Sequence, residues 1–449
     1  MSVCSVLHVL ALLLVATPRC GAANWPQFRG PGARGVADHA DLPDRWSAAD
    51  NVAWKTEIPG RGWSSPIVWG DRVFLTTVVG EEDSNPPKGR VEGGNAFPNH
   101  RQHTTSERQW KVLCLDLVSG KVRWERPVHR GLPPAPTHVK NSYGTETPVA
   151  DGQRVYAYFG NVGVFCLDFD GRPLWSQATK PRAMQYDAGT AASPVLHGDC
   201  LYLVNDNQDE SYLLALDKRT GQQVWRVDRD EKSNWSTPLV WENGRRAEII
   251  TAGSGKVRSY DLDGKLLWWF TGMSGITIAT PYADRGLLYL SSGYLQDRRR
   301  PIYAVRPGAA GDISLRPGQT SNASIAWCRT TAAPYNPTTL VYDGRLYVLY
   351  DRGRLSAFDP RTGAPLFENQ RLSKEPMQCW ASPWACNGRV FCLNEDGVTF
   401  VVQAGDRFQL LHSNKLADDD MCFATPAVAG DRLLVRSSAR IYCIRRSKT

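Results

Sequence analysis

Apolar residues in this chain fall in short runs of three to five, or alternate with polar ones, and Gly, Asp-Gly or Ser/Thr-Pro steps bound each run. Alternation with period two predicts strands. The Gly and Asp positions predict tight turns between them, because those residues tolerate turn conformations that branched side chains resist. The runs also recur as one phrase: Ser/Thr-Pro, an apolar strand, Gly, a Leu/Val-Tyr/Phe strand, a third strand ending in Asp, a Gly turn and an aromatic residue. The copy at Ser193-Pro194, Gly198, Leu201-Tyr202, Ala215-Leu216-Asp217, Gly221 and Trp225 shows all of it.

Pro66, Pro148, Pro194, Pro238, Pro281, Pro383 and Pro426 anchor seven copies, and Thr339-Leu340 marks an eighth. Undisturbed copies lie 43 to 46 residues apart, the spacing of propeller blades rather than of helical repeats. Four-stranded units of this kind hide their faces by stacking radially, which also protects most strand edges. The predicted fold is therefore all-β, a single eight-bladed β-propeller of four-stranded antiparallel blades spanning residues 51–444. Trp54, Trp124, Trp175, Trp225, Trp268, Trp327 and Phe367 sit at one phase of the repeat, where large flat rings would seal the seams between blades. The last copy stops at Ile441-Tyr442-Cys443-Ile444 without its fourth strand, and Asn51–Lys55 supplies one from the other end of the chain. Cys114, Cys166 and Cys443 share a third-strand slot with Ala215, Ser259, Ala304 and Ala357, which reads as a limit on size and predicts buried free thiols.

Residues 1–23 read as a secretory signal peptide. Their apolar run is too short to span a bilayer, and Gly21-Ala22-Ala23 offers a cleavage site. Residues 24–50 form an N-terminal lead-in and 445–449 a basic tail. A soluble periplasmic or secreted protein with no transmembrane segment in its mature chain follows. The net charge of +8 is scattered over turns apart from Arg298-Arg299-Arg300 and the tail, and no coherent basic stripe argues for nucleic acid. Cys379, Cys386, Cys392 and Cys422 form neither a CxxC redox pair nor a zinc pattern. Two insertions break the period, 80–108 with His100 and His103, and 307–324; each reads as a partner-binding loop or a passive lid.

Candidate chemistry lies on the segments that lead into each first strand. Trp63, Trp235, Trp380 and Phe423 stand three residues before a recurring proline, with Tyr143, Tyr186 and Tyr335 in comparable segments. At one structural phase they form either a stacking funnel for a small planar ligand at the channel mouth or packing that plugs it. Lys140, Asn141, Glu146, Asp187 and Asn336 add polar groups nearby, and a Glu146–Asp187 carboxylate pair has the oxygen chemistry calcium prefers, although spacing alone assigns no metal. Asp418-Asp419-Asp420 lacks the ligand spacing of a calcium loop and reads as a solvated turn.

The Ala-x-Asp-x-x-Thr-Gly-x-x-x-Trp phrase, best seen at Ala215–Trp225, resembles the pyrroloquinoline-quinone-like (PQQ-like) propeller repeat family over about residues 50–444. The opening Asn24-Trp25-Pro26-Gln27-Phe28-Arg29-Gly30-Pro31 looks like exported members of planctomycete type. One branch, the quinoprotein dehydrogenases, implies a PQQ cofactor with calcium and oxidation of an alcohol or sugar. The chain contains no Cys-Cys pair, which many alcohol dehydrogenases of that branch carry, and their metal ligands and base map onto no motif here. The BamB-like branch implies an envelope scaffold without quinone chemistry. The leading expectation is a noncatalytic exported binding or scaffold propeller with an envelope protein or small planar ligand as partner; the alternative is a PQQ- and calcium-dependent dehydrogenase.

Overall fold

A computed structural model describes residues 24–38, 40–80, 88, 101–102, 105–416 and 421–447. The expected signal peptide at residues 1–23, most of the first insertion and Asp418–Asp420 lie outside the described residues. Eight antiparallel sheets follow one another around a ring. Blade three shows the plan, with strands Val195–His197, Cys200–Asn205, Ser211–Asp217 and Gln223–Arg229 running from the channel outward. Blade eight is closed as its sequence predicts, because Val52–Glu57 pairs antiparallel with Arg440–Ile444.

The turns explain the repeated Asp and Gly. Asp217 Oδ1 accepts from the backbone N–H groups of Arg219 and Thr220, and Gly221 takes a φ of 74°, a left-handed conformation that glycine adopts without steric cost. Asp116 and Asp359 repeat the arrangement with Gly120 and Gly363. The glycine has a second duty. The indole of Trp175 lies on Gly221, where a Cβ would meet ring carbon at 2.4 Å, and Trp54, Trp124, Trp225 and Trp327 lie likewise on Gly120, Gly171, Gly264 and Gly363 of the next blade. Each Nε1 donates to a backbone carbonyl of that turn, Trp175 to Lys218 and Trp225 to Leu262. The rings' burial contributes on the order of 2–3 kcal/mol per seam.

Pairing register explains the small slot. Cys114, Cys166, Ala215, Ser259, Ala304, Ala357 and Cys443 each face a seam aromatic directly across the strand pair. A larger residue would push the ring off its glycine. The thiols of Cys114, Cys166 and Cys443 are free, and burial pushes each up to about 12.

Two seam positions depart from the pattern. Trp268 is fully buried, but its Nε1 donates to the Glu248 carboxylate of its own blade at 2.7 Å rather than to a turn of blade five. The insertion after blade five's third strand accounts for this: Gly311–Asp312 pairs parallel with Trp268 and Trp269, adding a fifth strand to blade four. Phe367, without an N–H to donate, packs edge-on against Phe408 at 5.8 Å.

The lead-in is a structural element in its own right. Trp25 bridges Val68 of blade one, Pro26 accepts from Ala150 of blade two, and Val36 bridges Ala385 of blade seven. Between them the Arg29 guanidinium, fully buried, donates to the carbonyls of Ala33, Arg34, Thr339 and Pro383. The peptide crosses the far ends of the inner strands and shuts the channel there, with Phe28 facing the interior.

Candidate binding cavity at the channel mouth

The Ser/Thr before each recurring proline, with Thr338 in the copy where Thr339 replaces that proline, builds the floor of the site. Ser65, Thr147, Ser193, Thr237, Thr280, Thr338, Ser382 and Thr425, one from each blade, are all buried and all line a central cavity of about 920 Å³. From blade one to blade four the backbone N–H donates to the next blade's hydroxyl: Ser65 to Thr147, Thr147 to Ser193 and Ser193 to Thr237, at 2.9–3.0 Å. Blades five to eight repeat the chain from Thr280 through Thr338 and Ser382 to Thr425. No such bond joins blades four and five or eight and one. Those joints use Trp235 N–H to Thr277 O and Ser236 Oγ to Ala279 O, and Arg436 to Ser64. The ring is thus two matching half-rings.

One aromatic wall rises from blades seven, eight and one. Phe423 stacks between Trp63 at 4.4 Å and Trp380 at 5.3 Å. Trp63 Nε1 donates to the Lys140 carbonyl and Trp380 Nε1 to Glu395. The Lys140 ammonium, 3.3 Å from the same carboxylate, also lies over the Trp380 and Phe423 rings, and burial pulls it below its ordinary value. The opposite wall comes from Trp235, Ile276, Tyr294 and Tyr335, with Tyr294 and Tyr335 5.6 Å apart. Tyr186 and Leu295, 41 % and 40 % exposed, stand at the open end of this wall. Tyr186 and Asp187 hold consecutive positive φ values of 59° and 52°, a strained arrangement for residues with side chains that concentrates at functional sites.

Of the residues singled out in the sequence, Trp63, Lys140, Asn141, Trp235, Asn336, Trp380 and Phe423 line this cavity. Tyr143, Glu146 and Asp187 are not among its lining residues. Tyr143 packs edge-on to Trp110 under the Arg108 guanidinium. Glu146 is buried within blade two, where its Oε1 accepts from the Gly160 N–H and from the Thr190 hydroxyl. Burial pushes this carboxyl up, opposed by those hydrogen bonds. Asn141 ties blade two's approach segment to the Ala188 and Thr190 carbonyls of blade three. Sequence reasoning missed Phe28 and Arg29, which fall outside the repeat and carry no periodic signal, the wall and rim residues Ile276, Tyr294, Leu295, Asp351 and Arg352, and the Ser/Thr ring, whose periodicity was visible but whose bonding was not.

Comparison with known proteins places this geometry. A family model described as Outer membrane protein assembly factor BamB, of the PQQ-like class, matches residues 77–209, 108–270 and 209–448. The chain belongs to this family. The overlapping matches are what an internally repeated propeller gives, since the same model fits the family's blades in more than one register. The BamB protein of Yersinia pestis is 23% identical over 353 residues, covering 76% of this chain and 81% of that protein. The match to BamB of Burkholderia pseudomallei (strain K96243), 24% over 206 residues, covers 42% of this chain and only 50% of that protein's length. Among solved structures, quinohemoprotein alcohol dehydrogenase from Comamonas testosteroni superposes on 95% of this chain and 82% of its own with a TM-score of 0.61 at 12% identity. That likeness shows the shared propeller fold.

The cavity's donor set does not fit a quinone held with calcium. Calcium needs several converging oxygen ligands. Here Glu146 is spent inside blade two, while Asp351 accepts from the Tyr335 and Asn336 N–H groups and the Asn336 amide. Among the described residues no three His, Cys, Asp or Glu side chains gather as a metal site. The rings of Trp63, Phe423 and Trp380 stack on each other and leave no slot between them for a planar cofactor.

Proposed function

We propose that this BamB-like propeller is a noncatalytic, exported binding or scaffold protein whose partner-facing surface is the open channel mouth. The observation that carries the reading is the contrast within one cavity: apolar walls of about 920 Å³ capacity open at one end, while its carboxylates and Lys140 are engaged with neighbouring protein groups. Reaction chemistry needs acid, base or metal groups poised toward substrate; docking needs concave apolar surface with a few polar anchors. The strained Tyr186 turn and exposed Leu295 at the rim support the docking role. The leader-like residues 1–23 support export, and the outer-membrane assembly role in the relatives' names supports an envelope protein as the partner.

A photo-crosslinking residue at Leu295 in intact cells is expected to give one discrete adduct, with none from the same residue at Val224 on the outer rim, which is 54% exposed. Stoichiometric binding of PQQ with calcium in calorimetry, together with dye reduction on addition of an alcohol or sugar, would overturn the reading in favour of the dehydrogenase.

A further inference from the structure

Resting on the reading that the open mouth is the binding face, we infer that the cavity takes an apolar chain ending in a carboxylate, its head at the Ser/Thr ring. Six of the ring hydroxyls accept a neighbouring blade's N–H, and those of Ser65 and Thr280 accept none. No described residue accepts a hydrogen bond from any of the eight, and all eight side chains face the cavity. A hydroxyl that has accepted one bond still has its O–H to donate, and a buried donor without an acceptor is costly to leave so. The floor therefore presents a circle of buried, unspent O–H donors.

Two of the lining's acceptors are engaged by their own neighbours. Asp351 accepts from the Tyr335 N–H and from the N–H and amide of Asn336, and the Asn141 oxygen takes the Ser142 N–H and the Thr145 hydroxyl. The cations differ from each other. Lys140 is paired with Glu395, whereas Arg352, exposed in the lining, makes no ion pair with any described carboxylate. The six hydroxyls that already accept a backbone N–H keep an O–H to donate, and Arg352 adds a cation, so an anion rich in acceptor oxygens complements both. Because Phe28 and the lead-in shut the far end, a ligand enters end-on, and the walls of Trp63, Trp235, Ile278 and Tyr335 would surround an apolar body behind the head. Two sources share this chemistry, the C-terminus of a hydrophobic peptide and a free organic acid.

The experiment compares three probes by calorimetry on the full mature chain: the peptide acetyl-Leu-Phe-Ala-Phe as free acid, the same peptide amidated, and 3-indolepropionate. The free acid is expected to bind at least about tenfold more tightly than the amide, the ratio that loss of charged hydrogen bonds gives. Indolepropionate binding as tightly as the peptide acid would assign the site to small acids; weaker binding would assign it to a peptide end. Ser65→Ala with Thr280→Val removes two donors without orphaning any neighbour's N–H, so folding is retained. It should cut acid affinity by about fivefold or more and leave the amide unchanged. Arg352→Gln should remove much of the salt dependence of acid binding. Equal affinity for acid and amide, or no effect of the double substitution, overturns the inference. If no probe binds while Leu295 still crosslinks to one partner, the carboxylate inference falls and the docking reading stands; if neither occurs, both fall.

Discussion

The two ends of the channel are made from the same eight inner strands, yet one is sealed and the other is not. At the sealed end Arg29 directs its guanidinium donors at four carbonyls from the lead-in and blades six and seven, and hydrophobic side chains such as Trp25 fill the remaining space. At the open end eight hydroxyl donors face a cavity, and the rim holds an aromatic residue in a strained turn. A sealed end spends its polar atoms on its own backbone, whereas a binding end holds some in reserve. In a repeat protein that distinction marks function better than any single residue type, because the repeat itself is indifferent to it.

Breaking the sealed end should produce the largest change. Burial without a carboxylate partner pulls the Arg29 guanidinium down to about 10, so it stays charged at neutral pH. Arg29→Ala leaves the carbonyls bare and should cost about 3–5 kcal/mol in urea unfolding, with the segment 24–37 becoming sensitive to protease in the native protein. The seams come next. Trp225→Ala strips the ring from Gly264 and should cost about 3 kcal/mol. An opposite sign is expected at the rim. Tyr186→Gly relieves a left-handed backbone strain and should stabilise by about 0.5–1 kcal/mol while weakening partner crosslinking at Leu295; a loss of stability would show that Tyr186 is chiefly packing.

The smallest effect concerns pH. Burial holds the Asp351 carboxyl above its ordinary 3.8, against the pull of its hydrogen bonds from Asn336 and Tyr335. The native state therefore keeps this proton to higher pH than the unfolded chain, so the contribution is full below 3.8 and is lost as pH rises through the native value. Asp116, drawn down to about 2 chiefly by Arg123 and Ser119 against the opposing effect of its burial, works the other way, stabilising above 3.8 and losing that as pH falls toward 2. Asp351→Asn should flatten the stability profile on the acidic side of neutrality, and chemical denaturation at a series of pH values reads the change.

Much of the architecture could be read before any coordinates. Blade number, the closing strand at Val52–Glu57 and the size limit at the Ala/Ser/Cys slot all follow from periodicity, since each blade must solve the same packing problem; that the slot faces a seam aromatic needed the strand register. What could not be read depends on contacts between non-equivalent parts. Glu146 looks like a ligand by type, but its oxygen serves Gly160 and Thr190. Trp268 sits at the seam phase, yet an insertion more than forty residues later redirects it to Glu248. Phe28 and Arg29 belong to no repeat at all. The aromatic phase at the channel mouth was visible, whereas the self-stacking of Trp63, Phe423 and Trp380 required their positions in space.

The closing strand also sets an order in time. Val52–Glu57 is made before any blade and cannot pair until Arg440–Ile444 has been made almost four hundred residues later. Loop closure over that span comes late and slowly, so through most of synthesis the chain is an open arc with both edges bare, and those edges invite pairing with other strands. The ring exists only once its oldest strand meets its youngest.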